Sequence, residues 1–217
     1  VYTVITGGFD PLPESKTFPG WDYLCFTDNP DLTPSGPWQV RLLDRQGFAP
    51  REGSRLPKIL PHRYLAEYEY SLYHDGNMRL VADPVALCDE LGWPDLALPA
   101  HRYTDCVYGE ADLMIRNGKA DPERVRQAVT RYRAEGLPEK AGATENGVMF
   151  RRHNAPEVQR LMAAWWDEFI RLGLGRDQMP FAYVCWRLAH KPMLFSPKTR
   201  QKYLWGTHLH RAQTVSR

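Results

Sequence analysis

Asp75-Gly76-Asn77, at the end of an apolar run, brings two side-chain oxygens together without a bulky neighbour. Tyr68, Tyr70, Leu72 and Tyr73 lead into it, and Tyr68 to Tyr73 suits a β-strand. Open α/β sheets build their sites where buried strands end, and this strand hands over to His74, Asp75, Gly76 and Asn77. In an extended segment Asp75 and Asn77, two residues apart, face the same side. Two hard oxygens on one side suit Mg2+ or Mn2+, with a substrate phosphate completing the shell. The same three residues also suit an ordinary β-turn, since Asp, Gly and Asn each favour one.

A second group is basic. Ser54 reads as the cap of a helix over Arg55–Glu67, with Pro57 in the first turn and Pro61 marking a kink or a late start. Arg55, Lys58 and His62 fall at i, i+3 and i+7, on one helical face. That face suits a phosphate or is simply solvated. Gly7-Gly8, directly after a first strand Val1–Thr6, lets a ligand approach the backbone, although the spacing is neither a dinucleotide fingerprint nor a P-loop. From Gln178 onward there is no Asp or Glu, whereas Arg187, Lys191, Lys198, Arg200, Lys202, Arg211 and Arg217 are basic. This end would attract a diphosphate, an acidic glycan or an anionic membrane face, unless it is a solvated tail. His208 and His210 alternate, so an extended tail would present both to one side, as metal or phosphate ligands folding back over the site.

The elements that must position these groups alternate between strand and helix. Further strands are expected at Asp22–Thr27, Trp38–Leu43, Leu96–His101 and Ala143–Arg151. Helices are expected at Val85–Leu91 behind Asp83-Pro84, at Asp121 to Gly136, at Pro156–Leu172 behind an Asn154/Glu157 capping box, and from an Asp177 cap to His190. The stretch from His101 to Glu110 has no clean period, and Met193–Arg217 reads as a tail. The pattern is α/β, one compact domain with a mixed, mostly parallel sheet flanked by helices. At 217 residues, 43% of them hydrophobic, the chain can bury a sizeable core. A net charge of +2 is too small to argue for nucleic acid. No apolar run reaches the length of a membrane span, and the first residues read as a strand, so no signal peptide is expected among them. Cys25, Cys88, Cys106 and Cys185 are far apart and read as reduced thiols, so the expected compartment is the cytoplasm, with the inner face of a membrane within reach of the basic end. The chain starts in a strand, as a domain of a longer protein would.

Several motifs together resemble a known family. They are VITGGFD, WDYLCFTDNPDL, the run from Ser54 to His62, YEYSLYHDGNM, Cys106 to Glu110, Glu145-Asn146-Gly147-Val148 and Arg176-Asp177-Gln178. The chain resembles the glycosyltransferase-like proteins first described in plants around pectin, mucilage and turgor regulation, with bacterial relatives. The resemblance extends to about His190. It implies a single GT-A-like domain that moves a sugar from a nucleotide-diphosphate sugar, UDP-linked by analogy, to a glycan or other hydroxyl acceptor. It implies donor contacts from Thr6, Gly7, Gly8, Asp28, Arg55, Lys58, His62 and Asp75. It also implies a Mn2+ or Mg2+ ion on Asp75 and Asn77, with Asn replacing the second Asp of the family's D-x-D and supplying less charge. Asp177-Gln178 is similar to a pair in glycogenin-type retaining enzymes, where a C-terminal His completes the metal shell; His208 or His210 would match it. Asp177, Gln178 and Glu145 are then the catalytic candidates, although Asp177 alone reads as a helix cap. Glu110 reads as structural or sugar-binding. The competing functions are a catalytically silent nucleotide- or glycan-binding module and a nucleotidyltransferase.

Overall fold

The computed structural model describes residues 1–206. Its first three strands, β1 (Tyr2–Ile5), β2 (Tyr23–Thr27) and β3 (Trp38–Leu42), run parallel, with Tyr2 opposite Leu24 and Tyr23 opposite Trp38. The chain then crosses back through two short helices, α1 (Pro50–Gly53) and α2 (Arg55–Ile59), and a 3-10 turn, Pro61–Arg63. It enters β4 (Ser71–His74) on the other side of β1 and continues into β5 (Met78–Leu80). Next come α3 (Pro84–Leu91), β6 (Leu96–Pro99), α4 (Val107–Arg116), α5 (Pro122–Ala134) and β7 (Val148–Arg151). The last described elements are α6 (Pro156–Leu172), α7 (Gln178–Arg187), β8 (Met193–Phe195), α8 (Pro197–Tyr203) and β9 (Leu204–Gly206).

The main sheet has the order β3-β2-β1-β4-β7-β6-β8. Only β7 runs against the others, pairing antiparallel with both β4 and β6. Strand order turns back between β1 and β4: β1 leads to β2 on one side, and β4 lies on the other. Both faces of the sheet are covered, which is why β1, β2 and β4 are apolar on both sides. Tyr2, Val4, Leu24, Phe26 and Tyr73 face one core with α6 and α7, and Ile5, Cys25 and Leu72 face the other with α3. Helix α6 buries Val158, Leu161, Met162, Trp165 and Phe169 at 3–4 spacing, and Gly173 ends it in the left-handed conformation. Fully burying each such side chain contributes about 1.5–3 kcal/mol.

Several elements differ from the sequence reading. The helix expected over Arg55–Glu67 stops at Ile59, because Pro61 lacks an N–H and keeps Leu60 out of the helical region (φ −111°, ψ 51°). The central strand begins at Ser71 rather than Tyr68; the Tyr68 hydroxyl bonds the Asp22 carboxylate instead, and Tyr70 stacks on Phe150. Helix α4 occupies a stretch without visible period. Val107, Tyr108, Ala111 and Met114 do form an apolar stripe, but the buried Glu110 interrupts it. Three expected side-chain caps are absent. Ser54 Oγ donates to the Arg51 carbonyl, Asn154 donates to the Ala66 and Tyr68 carbonyls, and Asp177 carries no cap bond. Residues 193–206 are not a tail: β8 extends the main sheet, α8 follows, and β9 pairs with β5. All four cysteines are free thiols.

Candidate active site

A cavity of about 640 Å3 opens at the C-terminal ends of β1 and β4, where the strand order turns back. Ligands bind open α/β sheets at such a switch point. Strand β1 delivers Thr6 to it, the turn after β4 delivers Asp75 and Asn77, α2 delivers Arg55 and Lys58, and the start of α7 delivers Asp177 and Gln178.

The centre of the cavity is a charge network. Lys58 Nζ lies 2.7 Å from Asp177 Oδ2 and 3.4 Å from Asp75 Oδ1, and Arg55 Nε lies 3.0 Å from Asp177 Oδ2. Lys58 also sits 5.0 Å from the centre of the Tyr73 ring. Burial raises the Asp177 carboxyl, but Lys58 and Arg55 outweigh it and hold the group below the usual carboxylate range. Burial, and then Asp75, push the Tyr73 hydroxyl well above its ordinary value, so it stays protonated and donates to Asp75 Oδ1 at 2.7 Å.

Asp75 and Asn77 lie in a turn, closed by the Met78 N–H on the Asp75 carbonyl at 3.0 Å, rather than in an extended strand. Both still line the cavity. Asp10 joins them: its Oδ2 is 3.1 Å from where a β-carbon on Gly76 would sit. The Glu145-Asn146-Gly147 segment supports the same network. Glu145 pairs with Arg102 at 2.5 Å and Arg200 at 3.6 Å. Asn146 accepts from Thr144 and donates to the Asp177 carbonyl at 3.2 Å, which also accepts from Trp165 Nε1. Gln178 Nε2 donates to the Thr144 carbonyl at 3.3 Å.

Four sequence candidates fall elsewhere. His62 is in the 3-10 turn, off the cavity, because the helix that would have aligned it with Lys58 has ended. Gly7 and Gly8 do not line the cavity, and Asp28 accepts the Gly7 N–H at 2.9 Å while pairing with Arg45 at 3.0 Å, so it braces the turn after β1. His208 and His210 lie outside the described residues. Among the described residues no three His, Cys, Asp or Glu side chains cluster in a way that could hold a metal ion. Sequence reasoning missed Asp10, although it closes the VITGGFD motif. It also missed the buried pair His101–Glu110, 3.0 Å apart in the cavity wall.

The sequence model of the TOD1/MUCI70, glycosyltransferase-like domain matches residues 27–205. The chain belongs to this family. Among curated proteins it is similar to the probable hexosyltransferase MUCI70 of Arabidopsis thaliana, 29% identical over 168 residues. That match covers 72% of this chain and 29% of the relative, so the chain spans under a third of the relative's length. Among solved structures it is similar to mouse xyloside xylosyltransferase 1 in its apo form, with a TM-score of 0.50 and 10% identity over 90% of this chain and 83% of the other. The fold is thus the GT-A type that family membership implies, with a mixed, mostly parallel sheet. No helix among the described residues is long and apolar enough to cross a membrane.

Proposed function

We propose that this chain is a glycosyltransferase that moves a sugar from a UDP-linked donor to a hydroxyl of a glycan or similar acceptor. The observation that carries this reading is the Asp75–Lys58–Asp177 network at the β1/β4 switch point, inside a cavity large enough for a nucleotide sugar. Asp75, Asn77 and Asp10 are hard oxygen donors on one side of that cavity, and they suit Mn2+ or Mg2+ with donor phosphates and water as further ligands. A β-carbon at Gly76 would meet Asp10 Oδ2 at 3.1 Å and Ile5 Cγ1 at 3.3 Å, so the glycine lets the Asp10 carboxylate come close to the Asp75–Asn77 turn, as such an ion's ligand set requires. When bound, the ion would stabilise charge on the departing diphosphate. Lys58 adds a fixed positive charge close to Asp75, where that charge grows.

Asp177, held ionised by two cations, is a weak base and a good acceptor for a donor-sugar hydroxyl. Glu145, itself paired with Arg102 and Arg200, is the other candidate to receive the acceptor proton if the anomeric centre inverts. If it is retained, the leaving phosphate oxygen takes the proton while Gln178 steadies the sugar. Four free thiols fit a reducing compartment, and we place the protein in the cytoplasm.

The test is incubation with a panel of nucleotide sugars, with and without Mn2+, followed by nucleotide release and product mass. Turnover that collapses in a folded Asp75→Asn variant supports the reading. Asn77, a neutral ligand where a second carboxylate would bind metal more tightly, favours a silent nucleotide- or glycan-binding module as the second reading; binding of UDP without turnover of any donor would establish it.

A further inference from the structure

Three cations on one wall of the cavity have no carboxylate partner. Arg51 comes from α1, Lys119 from the loop between α4 and α5, and Arg176 from the loop between α6 and α7. Among the described residues none of the three forms an ion pair. They sit together. Arg176 Nε donates to the Lys119 carbonyl at 3.4 Å, and Gly175 packs against Arg51, whose Cδ would be 3.1 Å from a β-carbon there. Burial, then the like charges of Arg51 and Arg55, lower the Arg176 guanidinium below its ordinary value.

The carboxylates of this region are committed elsewhere or too few. Asp177 is shared by Lys58 and Arg55, and Glu110 is held by His101. Glu52 Oε1 lies against Gly175, leaving one acid among three cations. Arg51 and Lys119 are exposed and Arg176 is half-buried, so water screens part of their mutual repulsion, and an entering anion relieves the rest. A second feature narrows the anion's chemistry. Tyr103, in the lining of the same cavity, is 75% exposed, with Arg102 over its ring at 5.7 Å and His101 edge-on at 6.0 Å. An exposed aromatic face beside polar groups suits the apolar face of a sugar ring better than a free phosphate.

We propose that Arg51, Lys119 and Arg176 form an anion subsite for an acidic saccharide, whose ring packs on Tyr103 and whose carboxylate meets the cationic wall. The subsite is separate from the donor diphosphate at Asp75 and Lys58, and the inference rests on the glycosyltransferase reading. The carboxylate belongs either to the acceptor glycan or to the donor's own sugar.

The experiment is calorimetric titration of the full chain with two matched pairs and with UDP alone. One pair is UDP-glucuronic acid and UDP-glucose; the other is the tetrasaccharides of galacturonic acid and of galactose. In one pair the acidic member should bind about 10-fold more tightly than the neutral member, a margin that added salt narrows. Lys119→Gln with Arg176→Gln should erase that margin while UDP affinity stays within about 2-fold. Tyr103→Ala should weaken both members alike, since the ring contact carries no charge. A margin in the first pair puts the acid on the donor sugar, and a margin in the second puts it on the acceptor. Equal binding of acidic and neutral members in both pairs overturns the proposal, as does a margin that survives the substitutions. Loss of UDP affinity in the double variant also overturns it, because the wall would then be the diphosphate seat. Failure to release nucleotide from any donor would count against the glycosyltransferase reading alone, since the binding margin can be measured without turnover.

Discussion

Lys58 Nζ and Asp177 Oδ2 meet at 2.7 Å with side chains only 2% and 6% exposed, which ties the end of α2 to the start of α7 inside the cavity. A buried ion pair is costly to leave half-made, because the remaining charge has lost its water and its nearest partner, keeping only Arg55 in the case of Asp177 and the more distant Asp75 in the case of Lys58. Lys58→Met and Asp177→Asn should each destabilise the fold by about 3–5 kcal/mol in denaturant unfolding. The double variant should cost less than the sum by about 1–3 kcal/mol, the coupling expected of groups in contact. Strict additivity would show that the two charges are independently solvated.

His74 gives a pH prediction. It is fully buried at the end of β4, its ring edge-on to Trp38 and its Nδ1 3.0 Å from the Asp75 carbonyl. Burial lowers its pKa from 6.5 to about 4, against a smaller opposing effect of the Asp75 carbonyl. Between those values the unfolded chain binds a proton that the folded chain does not, so stability falls as pH drops from 6.5 towards 4 and levels off below. The contribution of this one group is about 3 kcal/mol across that window. His74→Gln should flatten the pH dependence of the unfolding free energy there. A profile as steep as the parent's would assign the slope to other histidines.

Much of this architecture was legible in the sequence, and the gaps have physical causes. Strands β1 and β2 were readable because strands covered on both faces are continuous apolar runs, whereas β3, an edge strand in which only Trp38 is buried, was readable from its β-favouring Trp38 and Val40. Helix α6 was readable because its stripe is uninterrupted. Helix α4 was not, since Glu110 occupies a buried position and is tolerated only through His101, a residue outside the helix. Asp75, Lys58 and Asp177 were singled out by motif, but their mutual contact joins three distant segments and leaves no local period. His62 shows the opposite failure: a correct spacing on a helix that Pro61 ends first. β8 and β9 are three residues each, too short for alternation to show, and only their partners β6 and β5 reveal them.

Removing the C-terminal segment from Tyr203 should therefore damage the fold rather than trim a tail. A chain ending after Lys202 loses Tyr203 and Leu204, which are 2% and 1% exposed. Tyr203 donates to the Ala86 carbonyl at 3.2 Å and to Glu90 at 2.8 Å, and its carbonyl accepts the Val81 N–H. Losing a buried large side chain costs about 2–5 kcal/mol, and two such losses approach the whole stability of a typical domain. The truncated chain should melt far below the parent by circular dichroism, and Leu204→Ala alone should lower the melting temperature by several degrees. An unchanged melt in both would mean that β9 only rests on the surface.

Gly147 helps set where the Asp75 carboxylate points. The Asp75 N–H donates to the Gly147 carbonyl at 2.9 Å, and a β-carbon on Gly147 would sit 2.9 Å from Asp75 Oδ2 and 3.7 Å from Met78 Sδ. Gly147 has no positive φ, so alanine meets no backbone strain. The crowding falls on the carboxylate end of a short side chain, which must leave the Tyr73 hydroxyl and Lys58 to turn away. Gly147→Ala should therefore lower the unfolding free energy by about 1–3 kcal/mol, the cost of a buried hydrogen bond left unmade, and the domain should still fold. Under the proposed function, UDP affinity in the presence of Mn2+ should fall by about 10-fold or more. Asp75→Asn should add almost nothing in the Gly147→Ala background, because both changes act on one carboxylate. A Gly147→Ala variant that folds normally and binds UDP as the parent does would show that the donor does not depend on where Asp75 points.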